Sequence, residues 1–227
     1  MSRQVIIPAG GLGQRLGADT PKALIPLGGV PMLVRTLSAF LPLGLSDSAV
    51  ITLPEAYRST FERILATAFP GHNMTLVDGG QERQDSVRNG LASLHPDTTL
   101  CAIHDAARPF VSSEVIEASF VAAEEFGAAT VAIPSVDTIL VGDDQDLLKD
   151  TPDRRTLWAC QTPQTFRVDL IRAAHREALE RGFQGTDDAT LVNRCGHPVK
   201  LVLGASTNMK ITTPADLRIA EAILETL

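Results

Sequence analysis

The chain is predicted to be an α/β protein with a mostly parallel sheet covered by helices on both faces. Three observations carry this. Short apolar runs alternate with helix-period segments roughly every 25 residues. The runs, such as Val5-Ile6-Ile7 and Ala49 to Leu53, are continuously apolar rather than alternating, as in strands buried on both faces. The segments rich in Gly, Asp and basic residues follow strands, at the carboxyl edge where such sheets bind ligands.

The elements follow in order. Gln4 to Pro8 reads as the first strand. It runs into a glycine-rich loop, Ala9-Gly10-Gly11-Leu12-Gly13-Gln14-Arg15-Leu16-Gly17. Met32 to Leu41 has helical periodicity, with Leu33, Leu37 and Phe40 or Leu41 on one side. Ala49 to Leu53 is a strand, Ala56 to Phe69 a helix, and Met74 to Val77 a strand stopped by the turn signal Asp78-Gly79-Gly80. Asp85 to Leu94 is a helix. Leu100 to Ile103 is a strand leading into His104-Asp105-Ala106-Ala107-Arg108-Pro109. Ser113 to Phe126 is a helix with an acid in its first turn, and Ala129 to Ile133 a fifth strand.

The rhythm then breaks. Residues 137–155 are polar, with apolar pieces at Thr138 to Val141 and Leu147-Leu148 flanking Gly142-Asp143-Asp144. This predicts a protruding β-arm or, alternatively, a plain surface loop. An isolated hairpin is barely stable, so an arm calls for a partner, such as another subunit. Val168 to Arg181 and Asp187 to Arg194 are helices, Val199 to Leu203 a strand, and Asn208 to Thr212 a β-type run. The last helix starts with Thr213 as N-cap and Pro214 behind it, and carries Leu217, Ala220, Ile223 and Leu224 on one stripe. No linker divides the chain, so residues 1–227 are expected to form one domain, with 137–155 as a subdomain.

Composition narrows the function. Hydrophobic residues make up 44% and charged residues 21% of the 227 residues, enough for a full core without staples. The net charge of −7 argues against a duplex nucleic-acid binder, so any anionic ligand must meet a local basic cluster. Cys101, Cys160 and Cys195 are odd in number and widely spaced, which suits a reducing cytoplasm rather than a disulfide framework. Met1-Ser2-Arg3-Gln4 and its short apolar sequel lack the core of a signal peptide, and no run is long enough for a membrane span.

The glycine loop is the first chemical signal, because successive glycines let backbone N–H groups converge on an anion. Two familiar versions fail on spacing. A dinucleotide fingerprint needs Gly where Leu16 stands, and a Walker loop needs Gly-Lys-Ser/Thr, whereas Lys22 follows Pro21. A phosphate loop with Arg15 and Lys22 nearby remains, beside the alternative of a plain tight turn with solvated cations. Asp105, at the end of a strand, suits Mg²⁺ and bridged phosphates, or a helix cap or a salt bridge to Arg108. His104 reads as structural. Lys210, between Met209 and Ile211, points away from its apolar neighbours, into a cleft or into solvent. Asp187 and Asp188 suit a metal pair or a helix cap.

In this order the motifs resemble the sugar-phosphate nucleotidyltransferases, and within them the cytidylyltransferase family acting on 2-C-methyl-D-erythritol 4-phosphate. The resemblance rests on Pro8 to Leu16 with Pro21-Lys22, on Asp78-Gly79-Gly80-Gln81-Glu82-Arg83-Gln84-Asp85-Ser86-Val87, and on His104 to Pro109. It continues through Asp137-Thr138, Asp153-Arg154, Leu157-Trp158, Thr162-Pro163-Gln164, Thr186-Asp187 and Asn208 to Thr212, covering nearly the whole chain. The fold it implies is a Rossmann-like, mostly parallel sheet flanked by helices, with a protruding β-arm for dimerisation. The activity it implies is attack of the polyol phosphate on the α-phosphate of CTP, with Mg²⁺ as cofactor.

By position, the resemblance gives Arg15, Lys22 and Lys210 the catalytic roles. It gives Ala9, Gly10, Gly11, Leu12, Gly13, Gly79, Gly80, Ser86, Asp105 and Ala106 to the nucleotide, with Asp105 also facing the metal. It gives Arg108, Thr138, Arg154, Thr162 and Thr186 to the acceptor, with Thr138 and Arg154 coming from the arm of the other subunit of a homodimer. No nucleic-acid or membrane partner is implied. Gln14 and Thr207 depart from the family's usual basic and acidic residues, and Gly10 from its usual Ala. The competing expectations are a ribitol 5-phosphate cytidylyltransferase, a sugar 1-phosphate enzyme using UTP or GTP, and a non-catalytic nucleotide-binding protein on the same fold.

Overall fold

The computed structural model describes residues 2–17, 19–45 and 49–226. One seven-stranded sheet runs through it. Its strands are β1 (Ser2–Pro8), β4 (Ala49–Leu53), β5 (Thr75–Asp78), β6 (Thr98–Ile103), β7 (Ala128–Pro134), β10 (Trp158–Arg167) and β11 (Lys200–Leu203). The order is β11-β7-β10-β6-β1-β4-β5. Every neighbouring pair is parallel except those of β10, which runs antiparallel to both β6 and β7.

The apolar runs explain the layering. On β1, Val5 and Ile7 enter one core cluster and Ile6 the other, so the strand is buried on both faces. The first cluster joins the sheet to α1 (Met32–Ser38), α2 (Arg58–Ala68) and α4 (Ser113–Phe126) through Leu37, Phe40, Phe61 and Phe120. The second joins it to α3 (Arg83–Ala92), α5 (Val168–Glu180) and α6 (Asp188–Arg194) through Val87, Phe166, Ile171 and Leu191. A third, small cluster packs α7 (Pro214–Leu224) against the hairpin β2 (Pro26–Leu27) and β3 (Val30–Pro31), with Ile211 fully buried inside it. Gly28 and Gly29 both have positive φ, +55° and +76°, which suits the two-residue turn of that hairpin. No helix among the described residues is long and apolar enough to cross a membrane.

Three expectations are corrected. The longest strand, β10, falls where no strand was expected. Pro163 interrupts its pattern, and the ladder shifts register between Cys160 and Gln164 to accommodate it. Asn208 to Thr212 is a loop, not a strand, because Asn208 turns inward to bond Gln161 and Thr162. In the arm, the strands β8 (Val141–Gly142) and β9 (Leu148–Asp150) lie later than the apolar pieces suggest. Gly142 belongs to the ladder, and the Asp143 carboxylate forms the turn by accepting from the N–H groups of Gln145 and Leu147.

Candidate active site

The carboxyl ends of β1, β5 and β6 surround a cavity of about 260 Å³. Its floor is the loop after β1. The Ala9 N–H donates to Thr52 O and the Gly13 N–H to Thr20 O, while Lys22 N–H reaches back to Gly11 O at 2.8 Å. These bonds fold the loop over itself and leave Gly10, Gly11 and Leu12 on the cavity wall. A Cβ on Gly10 or Gly11 would meet nothing within 4 Å, so side chains there would fill ligand space instead. Gly13 is buried and lies off the wall.

The opposite wall is Gly80 to Arg83 together with Ser86. Ser86 Oγ accepts from the Gly80 N–H at 3.0 Å and donates to Glu82 O at 3.2 Å. Any Cβ on Gly80 would collide with Asp85, so only glycine closes this corner. A capping box between Glu82 and Asp85 starts α3 at that point. Gly79 stands one step behind, its N–H bonded to Leu53 O.

The third wall is the turn after β6. Thr36 Oγ1 donates to Ala106 O and Ile211 N–H to Ala107 O, which fixes Ala106 and Ala107 at the cavity. Ile211 anchors Lys210, so the amine faces the cavity while its neighbour sits in the third core cluster. Lys210 Nζ lies 2.8 Å from Asp105 Oδ2, Arg83 Nε 3.3 Å from Asp105 Oδ1, and Arg108 Nε 3.8 Å from Oδ2. Burial would raise the Asp105 pKa, but Arg83 and Lys210 overcome that and hold it well below the usual carboxylate range.

Behind this wall, Thr162 Oγ1 accepts from the Asp105 N–H at 3.1 Å and pairs with His104 Nδ1 at 3.0 Å. His104 Nε2 meets Arg108 O. Burial pushes this imidazole down to about 4, so it is neutral and structural. Arg108 Nη1 donates to Asn208 O at 2.7 Å, tying the Lys210 loop to the turn.

Arg15 and Lys22 complete the basic side of the cavity. Burial, then the charges of Lys210, Arg15 and Arg108 outweighing Asp105, lowers Lys22 from 10.5 to about 8. An amine depressed by burial and by neighbouring cations is poised for an anion.

The structure therefore brings Ala9, Gly10, Gly11, Leu12, Arg15, Lys22, Gly80, Ser86, Asp105, Ala106 and Lys210 to one cavity. Gly13, Gly79, Thr162 and Arg108 support it from behind. Thr138, Arg154 and Thr186 are exposed and do not line it among the described residues. Asp187 is the N-cap of α6, accepting from Thr190 N–H, and Asp188 pairs with Arg83 at 2.7 Å. Arg83 itself stood unassigned inside the Asp78–Val87 motif. Its partners are remote in sequence, and spacing carries no signal for them.

A glycine loop at the carboxyl edge of a mostly parallel sheet, ringed by cations and facing a glycine notch, is the arrangement of an α/β protein suited to phosphate-bearing ligands. Known proteins narrow the class. The family model described as IspD, 2-C-methyl-D-erythritol 4-phosphate cytidylyltransferase, matches residues 4–226. A 2-C-methyl-D-erythritol 4-phosphate cytidylyltransferase of Caldanaerobacter subterraneus subsp. tengcongensis is 43% identical over 225 residues, 99% of each chain. The crystal structure of the protein so named from Thermus thermophilus is 35% identical with TM-score 0.81, over 99% of this chain and 100% of that one. The crystal structure of 4-diphosphocytidyl-2C-methyl-D-erythritol synthase from Anaerococcus prevotii has TM-score 0.87 at 30% identity, over 99% of this chain and 98% of that one. The chain belongs to the 2-C-methyl-D-erythritol 4-phosphate cytidylyltransferase family.

Proposed function

We propose that this protein transfers the cytidylyl group of CTP to 2-C-methyl-D-erythritol 4-phosphate. The products are 4-diphosphocytidyl-2-C-methyl-D-erythritol and pyrophosphate, on the non-mevalonate route to isoprenoids. The observation that carries the reading is the convergence of Arg15, Lys22 and Lys210 on one cavity floored by a glycine loop. A binding module needs the loop. It has little use for three cations at the reacting phosphates.

An oxygen of the acceptor phosphate attacks the α-phosphorus of CTP, and the bond from that phosphorus to the bridging oxygen of pyrophosphate breaks. The nucleophile is already anionic, so no general base is required. The obstacle is repulsion, about 4 kcal/mol for two unit charges ~4 Å apart at an effective dielectric near 20. Lys22 and Arg15 neutralise the triphosphate, the amides of Gly10 to Leu12 cradle it, and Lys210 draws the attacking phosphate in line. Gly80 and Ser86 line the wall that would receive the cytosine.

Asp105 offers one ionised carboxylate at the wall, and no group of three His, Cys, Asp or Glu forms a metal cage among the described residues. Mg²⁺ would be held by Asp105 only after the Lys210 amine has turned from it to the substrate, with further oxygen ligands drawn from the substrate phosphates. When bound, it would withdraw negative charge from those phosphates.

The homodimer belongs to this proposal. Thr138 and Arg154, exposed on the arm, would complete the acceptor pocket of the neighbouring subunit, beside Thr162, Thr186 and Arg108. The apolar arm residues Leu140 and Leu148, 60% and 65% exposed, support burial against a second copy. Three free cysteines support a reducing cytoplasm.

A pyrophosphate-release assay with CTP and Mg²⁺, run in parallel with methylerythritol 4-phosphate and ribitol 5-phosphate, tests the reading. Turnover with the first acceptor alone is expected. Turnover with the second alone would refute the acceptor assignment. CTP binding without turnover on either would favour the non-catalytic alternative.

A further inference from the structure

Asp105 has three cationic neighbours, and they are not equivalent. Lys210 comes from a loop, is 39% exposed and makes one ion pair. Arg108 stands off at 3.8 Å. Arg83 alone grips a second carboxylate, with Nε 3.3 Å from Asp105 Oδ1 and Nη1 2.7 Å from Asp188 Oδ2.

Asp188 is a fixed anchor. Its side chain is 1% exposed. Its backbone N–H donates to Gln164 Oε1 at 3.0 Å, and its Oδ1 lies 3.0 Å from His175 Nε2. Withdrawing Arg83 would leave that buried carboxylate without its strongest partner, so the guanidinium is pinned. The next residue repeats the clamp: Gln84 Nε2 donates to Phe183 O, and Gly185 N–H donates to Gln84 Oε1. The starts of α3 and α6 are therefore locked together beside the cavity.

We infer that Arg83 is a positioning residue of the proposed transfer, holding Asp105 in place so that Lys210 is delivered to the reacting phosphates from a defined point. The inference rests on the function proposed above. When the Lys210 amine turns to a phosphate oxygen, Asp105 loses its closest cation. Arg83, tethered to Asp188, stays at Oδ1 and keeps the carboxylate in register. Two separate nitrogens of one rigid guanidinium, Nε and Nη1, each meet a different carboxylate, a span that the single nitrogen of a lysine does not reproduce.

The test is R83Q and R83K in the full chain, with steady-state kinetics and crystal structures of parent and variants. Misplacing Lys210 by an ångström predicts a kcat about ten- to a hundredfold lower, with KM for CTP within about threefold of the parent. R83K is expected to recover little, and it carries the same test should R83Q fail to fold. D188N is expected to lower kcat in the same way, with R83Q/D188N no worse than R83Q, because the two residues act through one chain of contacts. In crystals of R83Q, the Asp105 carboxylate and the Lys210 Nζ paired with it are expected to shift together from their parental positions. A purely structural role would lower Tm and leave kcat alone. A kcat within about twofold of the parent, full recovery in R83K, or Asp105 and Lys210 found in their parental positions would overturn the inference. If the parent itself proved silent with CTP and acceptor, the functional reading would fall, and the crystal structures would still decide the role of Arg83.

Discussion

The cavity wall and the arm are built on opposite principles. The wall is over-determined: Asp105 meets Lys210, Arg83 and Arg108, its N–H is held by Thr162, and the loop beneath it is bonded to itself. The arm has a two-stranded ladder, exposed apolar side chains, and ion pairs between near neighbours such as Arg155 and Asp153. A pre-organised wall suits charge stabilisation, which works only if donors need not rearrange. A bare arm suits a surface that acquires its order from a partner. On the proposed reading, one half of the site is finished within one chain and the other half would be completed by a second copy.

The sharpest way to break this contrast is to remove a cation from the finished half. Lys22→Ala is expected to lower kcat by about a thousandfold or more, with unfolding temperature and CD spectrum unchanged. A variant that turned over normally would remove Lys22 from the mechanism.

The arm gives the next largest effect. Arg154→Ala is expected to lower kcat/KM for the polyol phosphate by about a hundredfold while CTP affinity stays near that of the parent. Titration of each substrate separately checks the split, and equal losses for both would blur the distinction between the two regions.

Acid stability probes the rigidity behind the wall. His104 titrates at about 4 in the folded chain against 6.5 ordinarily, so between those values the unfolded chain binds the extra proton. Stability is therefore expected to fall as pH drops from 6.5 toward 4, by about 3 kcal/mol from this residue. Urea unfolding at pH 7 and pH 4.5, with His104→Gln as control, measures it. An equal slope in the control would assign the loss elsewhere.

The smallest effect concerns Lys22 as an acid. Its amine titrates near 8 in the free protein, and a bound triphosphate raises it. CTP binding above pH 8 is thus expected to take up a proton, and binding near pH 6.5 is not. Calorimetry in buffers of different ionisation enthalpy reads this directly, and Lys22→Arg is expected to abolish it.

Much of the wall was legible in the sequence, because its residues follow strands directly: Gly10 and Gly11 after β1, Gly80 after β5, Asp105 after β6. Loops at that edge must converge. Lys210 was legible through its buried neighbour Ile211, although the backbone there is a loop. What escaped depends on long-range pairing. Arg83 meets Asp188 from 105 positions away, and no period or spacing announces it. The strand β10 escaped because Pro163 breaks its pattern, a bulge that only the two flanking strands make tolerable. The arm was legible as a hairpin, but its register was set by the Asp143 side chain rather than by Gly142.

The most direct test of a site finished by a second copy is complementation. Lys22→Ala and Arg154→Ala chains, each nearly inactive alone, are unfolded together, refolded as a mixture and assayed for pyrophosphate release with CTP and methylerythritol 4-phosphate. Random pairing with shared arms gives about a quarter of the sites an intact wall and an intact arm, so about a quarter of parental activity is predicted. Activity no higher than the mean of the two separate variants would contradict the account and return the arm to its own chain.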